Sequence, residues 1–144
     1  MTLFVTVLVA SFLPYLNWPL LWFETYFHEM SHAWMAVFTR GQVSRCEIHW
    51  YGSGQCLVAG GMQAVIAFSG YFGAVIWGAL IYSMAVKSGV RWSHSIAVFF
   101  ALLTLLNLLL WARDLVTVVI HLLFILVFLL AYFFAKRDFA NLFL

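Results

Sequence analysis

Long apolar runs alternate with short polar interruptions along this chain, and that pattern predicts its elements. A membrane-crossing helix needs about 20 mostly apolar residues. Thr2 to Leu16 is a short first candidate, kinked at Pro14 and broken by Asn17 and Pro19. Leu20 to Phe38 is the second and stops at Thr39-Arg40-Gly41. Met62 to Val86, His94 to Ala112 and Leu115 to Ala135 follow as third, fourth and fifth, with Lys87 to Ser93 as a polar loop. Trp18 and Trp22 suit the headgroup level. The third candidate carries Ser69/Gly73, Gly70/Ala74 and Ala74/Gly78, small-residue pairs that let another helix approach closely. Gly41 to Gly61 breaks the pattern: GQVSRCEIHWYGSGQCLVAGG alternates, turns at Tyr51-Gly52-Ser53-Gly54 and resumes as an extended run. That is a β-hairpin signal.

Composition puts these runs in a membrane. Of 144 residues, 66% are hydrophobic and 8% are charged, against about 25% charged in a soluble domain. Too few water-seeking side chains exist to coat a soluble globule. The expected fold is an all-α integral membrane protein with about four to five transmembrane helices and a small β-hairpin after the second candidate. Residues 1–144 read as a single domain without a soluble regulatory module. The N-terminal run lacks a basic flank and an Ala-x-Ala site, so it reads as a retained segment. A net charge of +2, scattered over seven Lys and Arg residues, argues against nucleic acid as a partner. Cationic residues divide almost evenly between the two sides, so orientation stays open. Cys46 and Cys56 lack a Cys-x-x-Cys spacing; a disulfide between them stays open, but nothing in the sequence requires one, and they read first as two free, structurally neutral thiols.

The second candidate contains His28-Glu29-Met30-Ser31-His32. Ionisable groups in a membrane span are costly and need a reason to be there. Residues four apart share a helix face, so two imidazoles can hold one zinc ion, with Glu29 beside the metal to take a proton from water. Without metal, the same histidines would be core residues hydrogen-bonded to neighbouring helices.

Zinc needs a third protein ligand. Glu24, near the helix start, is explained by the helix dipole. Glu47 and Asp138 lie in polar stretches, and His49 and His94 belong to the hairpin and an interface. His121, deep in the fifth candidate, and Asp114, in the apolar context NLLLWARDLVTV, both stay open. Asp114 also reads as half of an Arg113–Asp114 surface turn.

Together these residues resemble the site-2 protease family of intramembrane zinc metallopeptidases, which pairs His-Glu-x-x-His with a distant Asn-x-x-Pro…Leu-Asp-Gly motif. Asn107-Leu108-Leu109 matches the opening of that motif and Asp114 follows seven residues later. The stretch GSGQCLVAGG…FSGYFGAVIWGAL is similar to a small bacterial branch of the family. Leu110 and Leu115 stand where the family has Pro and Gly. The resemblance implies one zinc per chain held by His28, His32 and Asp114, with Glu29 catalytic and Asn107 as a substrate or oxyanion donor. It implies a multi-pass protein of the bacterial inner membrane, surrounded by lipid, whose substrate is a transmembrane protein. For the ligands to meet, the Asn107–Asp114 segment must dip inward as irregular backbone. The alternative is a metal-binding scaffold without proteolytic activity.

The hairpin suggests how such a substrate is held. An unpaired strand edge in lipid is a liability. An unwound substrate segment has the same problem, and strand addition would solve both. Ile48 and Val58 are the candidate edge positions, where proline would remove a backbone donor. A hairpin that only plugs space above the helices is the competing reading.

Overall fold

A computed structural model describes residues 17–87 and 90–134. The first candidate span lies outside the described residues. The order is α1 (Trp18–Phe38), β1 (Gly41–Ile48), β2 (Gly54–Gly60), α2 (Gln63–Lys87), α3 (Val90–Trp111) and α4 (Leu115–Phe134). The protein is mostly helical with an inserted antiparallel hairpin, as expected. Among the described residues, α2, α3 and α4 are long and apolar enough to cross a membrane. Helix α1 is not among them, because its polar groups Glu24, His28, Glu29, Ser31 and His32 interrupt the greasy run. The expected loop Lys87–Ser93 is shorter than the polar residues suggested, since α3 already starts at Val90.

Helix α1 starts with Pro19 in its first turn, where a missing N–H costs nothing. It ends at Thr39, whose hydroxyl donates to Met35 O, and Arg40 adopts φ +62° to turn the chain into β1. The helix is the spine of the fold. Tyr26, Phe27 and Met30 form the buried core with Phe100 of α3 and Ile120 and Phe124 of α4. Tyr26 O–H donates to Thr104 Oγ1 (3.2 Å) and accepts from Asn107 Nδ2 (3.0 Å), which binds α1 to α3 through buried polar groups.

Helix α2 docks on another face of α1 through small residues. Ser69 Oγ donates to Ser31 O across the contact, and a methyl at Gly73 would strike Ser31. The close approach predicted from the small residues is there at Ser69, Gly70 and Gly73. Gly78 has open space around it and takes no part. The outward faces carry exposed Phe68, Phe72, Val75, Leu102 and Leu126, as helices bathed in lipid should.

The hairpin is sewn to α1 at its turn: Thr25 Oγ1 donates to Gly52 O (2.5 Å) and Trp22 Nε1 to Trp50 O (2.8 Å). Gly52 has φ +91° and sits against Leu21, where no side chain fits. Cys46 and Cys56 are not free thiols. They face each other in the register and form a disulfide, with Cα atoms 4.1 Å apart. That short separation marks a non-hydrogen-bonded pair, where opposite side chains come closest. Spacing along the sequence could not reveal this, because the register runs back from the turn, where Ile48 pairs with Gly54, and the turn length decides which residues face each other.

Candidate functional site

His28 and His32 lie one turn apart on the α1 face that meets α2. Their Nε2 atoms stand 3.0 Å apart. His32 Nδ1–H donates to Ile66 O at 2.6 Å, which leaves a lone pair on its Nε2. Gly70, one turn after Ile66, roofs the pair: a Cβ there would collide with both imidazoles. Tyr71 rests edge-on against His28, with centroids 4.6 Å apart. Glu29 is the next residue round the helix. It is buried, and its Cγ and Oε1 lie where a Cβ on Gly54 of the hairpin would sit. His28, Glu29, Glu24, Tyr71 and Gly54 line a cleft of about 290 Å³.

This donor set suits zinc as far as it goes. Two nitrogens bound tetrahedrally at about 2.0–2.1 Å from one zinc stand roughly 3.3 Å apart, close to the spacing seen. The Ile66 carbonyl fixes the tautomer a ligand needs, and Gly70 leaves space at the ring edges. Two readings satisfy the pair chemically: both lone pairs face one ion, or His28 donates an N–H to His32.

Asp114 does not join them. Among the described residues no group of three His, Cys, Asp or Glu side chains converges as a metal site. Asp114 caps α4, its Oδ2 accepting from Thr117 N at 2.9 Å, while its Oδ1 is buried without a partner. The expected dip of Asn107–Asp114 is also smaller than required: α3 stays helical through Trp111, and only residues 112–114 break. Asp114, Thr117 and His121 recur along one face of α4. Thr117 bonds Ile48, and His121 packs edge-on against Tyr26. That places them by Tyr26, about 120–160° round α1 from the histidine pair at 100° per residue. His121, with Nδ1 donating to Thr117 O, is not beside His28 and His32 either.

Two other expectations need correction. Asn107 is no oxyanion donor here, because both its amide hydrogens are engaged, by Tyr26 Oη and by Leu103 O at 2.8 Å. A flipped amide would set oxygen against the Leu103 carbonyl, so the assignment is chemically fixed. Ile48 is no open edge. It is 2% exposed, and its N–H donates to Thr117 Oγ1 at 2.7 Å. Residues alternate along a strand, so Val58 points its N–H and C=O outward as Cys56 does. No partner outside the hairpin engages Val58 among the described residues.

Gly54, Gly70, Tyr71 and the Ile66 carbonyl were not singled out as site groups from the sequence. Gly70 carried a signal, as part of a small-residue face one helix away from the motif. The others acquire meaning only through tertiary contact.

A His-Glu-x-x-His helix packed among apolar spans, with its glutamate in a cleft, is the arrangement the resemblance to membrane peptidases led one to expect. The chain belongs specifically to the Peptidase M50B-like family, whose family model matches residues 1–144, and so to the site-2 protease group. No curated protein and no solved structure matches the chain.

Proposed function

We propose that this protein is an intramembrane zinc endopeptidase of the bacterial inner membrane. It would hydrolyse peptide bonds within or beside transmembrane segments of other proteins. The His28–His32 pair carries this reading: two Nε2 atoms 3.0 Å apart beside a buried carboxylate, in a family of membrane proteases. His28 and His32 would hold zinc. Asp114 is the third ligand the family motif assigns; its Oδ1 has no protein partner, and reaching the histidines would require α4 to move against α1. Bound there, zinc would supply Lewis acidity toward a carbonyl and toward water. Glu29 takes the proton from the attacking water at its carboxylate and returns it to the leaving amine. Gly54 and the cleft wall orient that carboxylate. The substrate is a transmembrane helix, locally unwound, whose extended segment adds to the β2 edge at Val58.

A second reading, a metal-binding scaffold without proteolysis, is favoured by the separation of Asp114 from the histidines. Metal analysis of detergent-purified wild type, His28→Ala and Asp114→Ala separates the possibilities. One zinc per wild-type chain, lost in both variants, supports the three-ligand site. Zinc retained in Asp114→Ala overturns Asp114 as a ligand, and no zinc in wild type overturns the whole assignment. Val58→Pro should depress cleavage with zinc content intact; unchanged cleavage would remove strand addition.

A further inference from the structure

Behind Glu29, away from the zinc-binding face, lies a second space of about 20 Å³. Tyr26, Glu29, Met30, Asn107, Trp111 and His121 line it. Glu29 thus forms part of the wall of both this cavity and the outer cleft. Most of the lining is apolar, yet four polar side chains, Tyr26, Glu29, Asn107 and His121, reach it from three helices. Asn107 is 4% exposed, and its Oδ1 has no hydrogen-bond partner. Its amide cannot turn to find one, because both hydrogens are held by Tyr26 and Leu103. His121 is 5% exposed, and with Nδ1–H donating to Thr117 O its Nε2 is left to accept. Asn107 Oδ1 and His121 Nε2 accept from no protein donor, since the Tyr26 O–H is committed to Thr104, and they call for a molecule with two hydrogens to give. A water needs about 10–15 Å³ and two or more polar partners, and the cavity offers both.

We propose that this cavity is a water-binding site. The water donates to Asn107 Oδ1 and to His121 Nε2, and it fills the space behind the Glu29 side chain. His121 and Asn107 are then positioning residues: through the water they keep Glu29 turned toward the cleft. A dry or collapsed cavity would let the carboxylate swing back out of line with the scissile bond. The positioning role rests on the protease reading; the water site itself does not.

Radiolytic labelling in heavy-oxygen water tests the site independently of activity, because bound water oxidises the side chains it touches. Met30 and Tyr26, which are 3% and 2% exposed, should take up label in wild type despite their burial. Uptake should fall several-fold in His121→Phe and Asn107→Leu. Absence of label in wild type, or equal label in all three, overturns the water site. Cleavage kinetics test the positioning role. His121→Phe should lower kcat roughly 10- to 100-fold, the range for outer-shell partners, with KM and zinc content unchanged. His121→Gln, which keeps an acceptor, should recover much of the loss. A His121→Phe protein that loses label yet keeps wild-type kcat overturns the positioning role. If wild type binds zinc but cleaves nothing, the protease reading fails with the positioning role, and labelling still decides the water site.

Discussion

Gly70→Ala puts the His28–His32 pair under a defined load. The new Cβ would lie 2.6 Å from Cε1 of both His28 and His32, where carbon atoms ordinarily stand about 3.5–4.0 Å apart. Roughly 1 Å must be found somewhere. His32 cannot swing freely, because its Nδ1 is held by Ile66 O at 2.6 Å. Ile66 lies on the same helix as Gly70, so moving α2 outward drags the ring's anchor with it. Ser69 and Gly73 hold that helix against Ser31 on both sides of the clash. Strain therefore falls on the two imidazoles. Overpacking of this kind costs about 1–3 kcal/mol, equivalent to about 5- to 150-fold in zinc affinity. Alanine also removes glycine's helix penalty of about 0.8–1.0 kcal/mol, so the fold should survive. Competitive titration with a zinc chelator, alongside thermal unfolding in detergent, reads the two effects separately. Gly78→Ala, where nothing lies within 4 Å, is the matched control and should bind zinc as wild type does. Wild-type zinc affinity in Gly70→Ala would refute the claim that the imidazoles under Gly70 form the metal site.

Two further outcomes concern contacts away from the histidine pair. Replacing Cys46 and Cys56 together by Ser should destabilise the hairpin by about 2–3 kcal/mol, seen as earlier proteolysis of β1 and β2 with α1 to α4 intact; equal proteolysis would show that the cross-link contributes nothing. Tyr26→Phe leaves Thr104 and Asn107 short of a buried partner, so the protein should lose about 1–3 kcal/mol and melt earlier in detergent, whereas an unchanged melt would mean the network is dispensable.

Much of this molecule was legible in sequence because a bilayer leaves few choices. Apolar runs of spanning length become helices, and only residues with strong turn chemistry interrupt them. Thr39-Arg40-Gly41 and Tyr51-Gly52-Ser53-Gly54 marked the ends of α1 and β1 for that reason. His28, Glu29 and His32 were legible because one turn of helix fixes their mutual placement locally. Asp114 was not, since its place depends on where α3 ends and how α4 rotates against α1. Asn107 matched a motif by letter, yet its amide hydrogens belong to Tyr26 and Leu103. Ile48 looked like an edge residue because strand alternation does not reveal a helix lying beside it. The disulfide was hidden for a similar reason: the length of the turn between Ile48 and Gly54 decides whether Cys46 meets Cys56 or passes it.

If Glu29 performs peptide hydrolysis beside a zinc held by the α1 histidines, removing its carboxylate should stop cleavage and leave the metal in place. Wild type and Glu29→Gln, each reconstituted in liposomes with a single-span membrane substrate and assayed for zinc, test it most directly. One zinc per chain in both proteins, cleavage by wild type, suppression of that cleavage by chelator, and no cleavage by Glu29→Gln are expected. Cleavage by Glu29→Gln at the wild-type rate would contradict this role for Glu29.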